Sequence, residues 1–289
     1  MNIFLTGGTG FIGNYFRKVA AKNHKIYLFS RKENNIISDN NYHKIVYREN
    51  LNQISKEDLS LIDLVLHLSS TGVSAPHSLS ITNAYKNNVI DPIKFFEIAI
   101  NKAKIKNFIV CGSCYEYGRT GEMNINKLSV LDQLLPSDFY ASSKAAFSMA
   151  CISMAYKYSL NLSLIRPFHI YGEGELNSRF YPSIMSAIKN NLDFDMTQGE
   201  QIRNFNKVDS FVEMLIKECN EIYSRKDSYS LTIKNFGNKK NQTIKEFASY
   251  LWRKNSAKGK INFGKVPYRN NEGMKYIPNI DIIFADKTD

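Results

Sequence analysis

Four glycines at the very start of the chain restrict its fold more than any other feature. The apolar run Asn2-Ile3-Phe4-Leu5 passes directly into Thr6-Gly7-Gly8-Thr9-Gly10-Phe11-Ile12-Gly13, and then into a stretch of helical periodicity. Glycines 8, 10 and 13 satisfy G-x-G-x-x-G, and glycines 7, 10 and 13 satisfy its wider-spaced variant. A strand that turns tightly into a helix needs such a cluster. One glycine makes the turn, one lets backbone N–H groups approach a pyrophosphate, and one lets helix and strand pack closely. The helix N-terminus then faces the phosphate. Gly7, Gly10, Phe11, Ile12 and Gly13 are therefore candidate dinucleotide contacts. A ligand-free glycine-rich turn is the alternative, but a strand before, a helix after and the N-terminal position all favour the phosphate.

The same alternation continues. Short β-branched or aromatic runs are expected as strands at Asn2–Leu5, Lys25–Phe29, Leu64–Leu68, Asn107–Cys111 and Leu160–Arg166. Between them Phe11–Lys22, Ile81–Lys102 and Ser137–Tyr158 read as helices, the second interrupted near Asp91-Pro92. Strands alternating with helices predict an α/β fold, a Rossmann-type doubly wound parallel sheet. Residues 1–167 are expected to form the dinucleotide-binding domain. Residues 168–289 are expected to be mostly a smaller C-terminal substrate-binding lobe, interleaved with the last Rossmann elements, with helices near Tyr181–Asn190, Val208–Tyr223 and Thr243–Lys254 and a strand near Ile280–Asp286. At 289 residues with 43% hydrophobic content, a sizeable core is available. The packed lobe should leave a cleft.

Composition narrows the function classes. A formal charge of +11 suits nucleic acid, an anionic membrane or small anions, but the basic residues are dispersed among acidic ones, as in Arg225-Lys226-Asp227. A solvated basic surface with phosphate sites is favoured over a nucleic-acid groove. No apolar run approaches the roughly 18 residues of a membrane span, and the start lacks a basic leader region, so a cytoplasmic protein without a membrane partner is expected. Cys111, Cys114, Cys151 and Cys219 are too few for a disulfide scaffold. Cys111-Gly112-Ser113-Cys114 matches C-x-x-C, but it lacks a thioredoxin-like context or a second ligand pair, and the five histidines are dispersed. No metal is expected.

Two further features carry chemistry. The second strand ends in Ser30-Arg31-Lys32, without the acidic residue that would accept a ribose 2′-hydroxyl. Arg31 can hold a 2′-phosphate by a charge-assisted fork, so NADP(H) is expected over NAD(H). Tyr140 and Lys144 lie four residues apart, on one helix face, where an ammonium can stabilise a phenolate. Tyr250 and Lys254 share that spacing and read as helix surface. Tyr140 differs by its place, just after the Gly112–Gly118 turn and at the start of a long helix.

The order of Thr6–Gly13, His67-Leu68-Ser69-Ser70, Asn88-Val89, Ser113 within Gly112–Gly118, Tyr140–Lys144 and Arg166-Pro167-Phe168-His169-Ile170-Tyr171-Gly172 resembles the extended short-chain dehydrogenase/reductase family (the NAD-dependent epimerase/dehydratase family), whose members act on nucleotide sugars. The resemblance implies Ser113, Tyr140 and Lys144 as the catalytic set. Ser113 would hydrogen-bond the sugar C4 oxygen, Tyr140 would be the acid/base, and Lys144 would hold the nicotinamide ribose and depress the tyrosine pKa. It also implies Leu68, Ser69 and Pro167 as cofactor contacts, and Tyr115 and His169 as substrate contacts. The segments around Arg203 and Arg269 resemble nucleotide-sugar 4-ketoreductases of the CDP-abequose synthase kind, in which matching arginines contact the substrate diphosphate. The related 4,6-dehydratases commonly carry Thr-Asp-Glu where this chain has Ser113-Cys114-Tyr115, which argues against dehydration. His169 replaces the usual Asn, Ser69-Ser70 two alanines, and Asn50 an adenine-binding Asp.

The expected function is NADPH-dependent reduction of a nucleotide-linked 4-keto-(6-deoxy)hexose for surface polysaccharide, with the nucleotide sugar as partner and a homodimer possible. A 4-epimerase holding NAD+ would use the same residues. A non-catalytic NADP-binding regulator is the alternative of another class.

Overall fold

The computed structural model describes residues 1–32, 40–73, 79–123, 127–225, 229–269 and 272–286. Its central sheet contains β1 (Asn2–Thr6), β2 (Lys25–Ser30), β3 (Lys44–Tyr47), β4 (Leu64–His67), β5 (Asn107–Cys111), β6 (Asn161–Pro167), β7 (Ser230–Phe236) and β8 (Phe284–Asp286). The spatial order is β8-β7-β6-β5-β4-β1-β2-β3, parallel throughout except for the antiparallel β7–β8 pair. The order reverses at β1, which lies between β2 and β4. A doubly wound sheet opens its ligand crevice at that switch point, beyond the carboxyl ends of the strands.

Both sheet faces are covered, and the alternation within β1 shows how. Ile3 and Leu5 enter one core with Phe16, Leu28, Phe211 and Leu215, while Phe4 enters another with Val65, Phe96, Phe108 and Phe147. Successive strand residues point to opposite faces, so a strand apolar at every position belongs between two layers. The first core is closed by α1 (Phe11–Ala20) together with a later helix, Val208–Ser224. The second is closed by α2, a continuous helical stretch over 81–102, and by α3 (Phe139–Tyr158). Beyond them lie α4 (Phe180–Lys189), α5 (Val208–Ser224) and α6 (Ile244–Lys254), and α4 and α6 share a separate core of Ile184, Ile188, Met196, Phe247 and Leu251. The elements after residue 167 thus divide. α5, β7 and β8 join the sheet layers, whereas α4 and α6 pack as a small lobe.

The expected break at Asp91-Pro92 is absent. The chain instead makes a wider π turn over Lys86–Ile90, where Asp91 N–H donates to Lys86 five residues back, and Pro92 falls in the first turn of the next α-helical segment. A missing N–H is tolerated where the hydrogen-bond spacing has already shifted. Strands β3 and β7 were not expected, and the terminal strand is shorter than Ile280–Asp286. Among the described residues no helix is long and apolar enough to cross a membrane.

Candidate active site

A cleft of about 670 Å³ opens at the switch point. Its cofactor wall is the glycine turn. Gly7 has φ +72°, and a Cβ there would come within 2.6 Å of Ser69 N, so the loop after β4 packs directly on the turn. A Cβ on Gly13 would meet Gly7 O at 2.3 Å. Gly10 caps α1 without a side chain, and the first turn of α1 has no acidic residue. The N–H groups that a helix leaves unpaired at its start are therefore open to an anion. Gly7, Gly10, Phe11, Ile12 and Gly13 all line the cleft, as do Leu68 and Pro167. Ser69 contributes its backbone, its N–H donating to Thr6 Oγ1 at 3.3 Å, while Ser70 faces the cleft in its place. Beneath the turn, buried Arg17 donates from Nε to Gly8 O at 2.9 Å and so fixes the loop from inside the helix. Arg31 is exposed and directly follows β2, outside the cleft lining.

The catalytic wall is built from β5 and α3. β5 ends at Cys111, and Ser113 caps the short helical turn Cys114–Tyr117, its Oγ accepting from Tyr115 N at 3.2 Å while its own N–H donates to Glu116 Oε1 at 2.8 Å. Glu116 is completely buried and pairs with buried Arg166 Nε at 2.8 Å. Arg166 donates to Tyr117 OH at 3.3 Å, and Tyr117 OH donates in turn to Asn235 Oδ1 at 2.7 Å. This network locks the turn that presents Ser113. Asp138 caps α3 by accepting from Ala141 N at 2.7 Å, which places Tyr140 in the first turn and Lys144 one turn on. Asn88, in the π turn of α2, donates to Ser143 Oγ and to Thr71 O, both at 2.9 Å, and so ties the loop after β4 to α3.

Ser113, Tyr140 and Lys144 meet on the cleft floor, all buried. Burial pushes the Tyr140 phenol up, and its hydrogen bond with Ser113 pulls the other way. Lys144, one turn on, donates from its ammonium to Cys111 O at 2.6 Å. Tyr140 is thus a neutral, proton-bearing phenol at physiological pH, the form required of an acid. Behind it His67 shares a 2.9 Å hydrogen bond with Thr6 Oγ1, and burial with the nearby Lys144 charge pushes it down to about 3. Cys111 and Cys114 are free and buried, their thiols pushed up by burial to about 11 and about 12, which leaves them unreactive.

The residues expected to meet substrate, Tyr115 and His169, form an aromatic group. Tyr115 packs its ring 6.4 Å from that of Tyr140 and shares a 3.4 Å contact between its hydroxyl and His169 Nε2. His169 sits at φ +22°, and its Nδ1 is buried without a partner; burial, followed by the charges of Arg203 and Arg179, holds it well below the usual histidine range. Both residues line the cleft. The two arginines expected at the diphosphate do not. Arg203 is buried, donates to Ile202 O at 3.1 Å, pairs with Glu272 at 3.2 Å and lies 5.2 Å from the Tyr276 ring centroid. Arg269 is exposed. Tyr250 and Lys254 lie on α6, where the ammonium sits 5.6 Å from the ring centroid, away from the cleft.

The description NAD dependent epimerase/dehydratase family matches residues 3–229. The chain belongs to this family. CDP-abequose synthase of Salmonella muenchen is 22% identical over 284 residues, covering 97% of this chain and 90% of that protein. Among solved structures, a UDP-N-acetylglucosamine 4-epimerase from Methanobrevibacter ruminantium M1, in complex with UDP-N-acetylmuramic acid, superposes with a TM-score of 0.83 at 22% identity, covering 96% of this chain and 89% of the other. A UDP-glucuronic acid 4-epimerase from Bacillus cereus, in complex with UDP-glucuronic acid and NAD, gives 0.82 at 19% identity, with 97% and 91% covered.

The residues present fit the dinucleotide of such an enzyme. The side-chain-free start of α1 and the glycine turn form a cradle that a Cβ at position 13 would fill. Sequence reasoning missed Arg17, Asn88's bridging role, the Glu116–Arg166 pair, Glu175 and Arg179. Only Glu116 had a local signal, the S-x-x-E spacing from Ser113 that marks a capping box.

Proposed function

We propose that this enzyme reduces a nucleotide-linked 4-keto-(6-deoxy)hexose with NADPH, in the making of a sugar for surface polysaccharide such as O-antigen or capsule. The observation that carries the reading is Tyr140 beside Ser113 and Lys144 on the cleft floor, with Cys114 and Tyr115 at the turn positions where the related dehydratases commonly carry Asp and Glu. Gly7, Gly10, Phe11, Ile12, Gly13, Leu68 and Pro167 would hold the cofactor, Lys144 its ribose, and Arg31 the 2′-phosphate. A bound reduced nicotinamide supplies hydride to the keto carbon. Ser113 orients the keto oxygen and Tyr140 gives it a proton, so that the ketone becomes an alcohol. Tyr115 and His169 pack against the sugar. Similarity to CDP-abequose synthase supports the substrate class.

The test is incubation with NADPH and CDP-, dTDP-, GDP- and UDP-linked 4-keto sugars, following NADPH absorbance. Oxidation matched by alcohol formation with one of them is expected. Protein purified with stoichiometric bound NAD that inverts a C4 alcohol and leaves NADPH unconsumed would instead identify a 4-epimerase.

A further inference from the structure

An anion is bound by backbone N–H groups, so the carbonyl oxygens of the same turn have to be kept away from it. In the glycine turn three carbonyls are taken. Gly7 O accepts from Gly10 N–H at 3.0 Å, and Gly10 O accepts from Asn14 N–H at 2.9 Å, both within the backbone. Gly8 O is held by a side chain instead, the Nε–H of Arg17, at 2.9 Å and nine residues on in α1. Gly8 itself is packed on the sheet, since a Cβ there would come within 2.3 Å of Leu28 Cδ1 and 2.8 Å of Leu5 Cδ2. Arg17 is 1% exposed, lies outside the cleft lining, and also donates from Nη2 to Asn14 Oδ1 at 2.5 Å. The described residues contain no cis peptide, and a trans peptide is planar with its N–H opposite its C=O. The Gly8–Thr9 peptide aims its oxygen inward at Arg17. It therefore aims the Thr9 N–H outward, and Thr9 lines the cleft.

We infer that Arg17 is a positioning residue for the dinucleotide: by holding Gly8 O inward it keeps the Thr9 N–H turned toward the pyrophosphate. The inference rests on the dinucleotide reading of the cleft given above. Its physical basis is the freedom of glycine. A glycine peptide turns over at little steric cost, so without a donor beneath it the Gly8–Thr9 unit can swing its oxygen to the side where its N–H stood. One donor to the anion is then lost and a repelling dipole takes its place. A buried carbonyl left without its partner adds to the cost. The pyrophosphate is common to NADP and NAD, so Arg17 acts on both alike, whereas Arg31 acts on the 2′-phosphate that only NADP carries.

Calorimetric titration of the whole protein with NADP+, NAD+ and adenosine 2′-phosphate tests it. Arg17→Met keeps the buried stem and removes the guanidinium donors. It should weaken NADP+ and NAD+ by the same factor, about 10- to 100-fold, the range of a hydrogen bond to a charged group. Adenosine 2′-phosphate, which lacks the pyrophosphate, should stay within about twofold of its wild-type affinity. Arg17→Gln puts an uncharged amide donor as many bonds from Cα as Nε is, and should bind both dinucleotides within about threefold of wild type, because the role is orientation and not charge. The glutamine protein is the one to read if the methionine protein does not fold. Undiminished NADP+ binding in Arg17→Met, an equal loss of adenosine 2′-phosphate, or a glutamine protein more than about tenfold weaker than wild type would overturn the inference while leaving the dinucleotide reading in place. A wild type that binds neither dinucleotide would overturn both.

Discussion

Tyr140 has a phenol that burial keeps protonated, a serine beside it and an ammonium one helical turn away. Tyr140→Phe keeps the packed ring and removes only the proton, so kcat should fall about 10²–10⁴-fold while NADPH and the keto sugar still bind. Steady-state kinetics with separate binding titrations check it, and activity equal to wild type would favour the non-catalytic reading. Arg31 follows β2 exposed, with no acid in the ribose position. Arg31→Asp should invert the preference from NADPH to NADH, read as the ratio of the two Kd values; an unchanged ratio would mean that the arginine is ordinary surface. Tyr140, Lys144 and the glycines stood out in the sequence by spacings local to one helix or one turn, whereas Ser113 came from the family resemblance. Arg203 was legible as a residue but not as a partner, since Glu272 lies 69 positions on and only the tertiary fold joins them. Arg179 and Glu175 carried no motif. Arg179 meets Val73, 106 positions back, only in the folded chain.

At the scale of elements, the turn after β5 is held by charge rather than by packing alone. Glu116 and Arg166 are almost fully buried, and breaking a buried pair leaves the other ion unsolvated. Glu116→Gln should therefore cost about 3–5 kcal/mol in denaturant unfolding and lower kcat as Ser113 loosens. A change below about 1 kcal/mol would show the turn to be self-supporting. The strands flanking β1 were readable because both of their faces are apolar. β3 and β7 escaped for opposite reasons. Lys44-Ile45-Val46-Tyr47 is a short edge strand with one buried residue, and β7 alternates Leu231, Ile233 and Asn235 with half-buried polar positions that resemble a loop. The π turn in α2 escaped because Asp91-Pro92 signals a break locally, whereas packing of Asn88 against α3 keeps the helix going.

For the whole molecule, the buried histidines make stability depend on pH. His67 is held down to about 3 against an ordinary 6.5, so between those values the unfolded chain binds a proton that the folded chain does not. Stability contributed by the neutral ring is present above pH 6.5 and is lost as pH falls, by about 1.4 kcal/mol per unit, with His24 and His169 adding in the same direction. Urea unfolding of wild type and His67→Asn at pH 7.5 and 5.5, above the carboxylate range, should show the smaller loss in the variant; equal losses would contradict a neutral buried His67. The proposed reduction by exchangeable NADPH rests on the glycine cradle and the catalytic floor, and the position of the transferred hydrogen tests that proposal most directly. With NADPH deuterated at the transferring face of its nicotinamide, the product alcohol should carry one deuterium on the former keto carbon, read by mass spectrometry and NMR. A C4-inverted product without deuterium, formed while NADPH stays intact, would contradict the account.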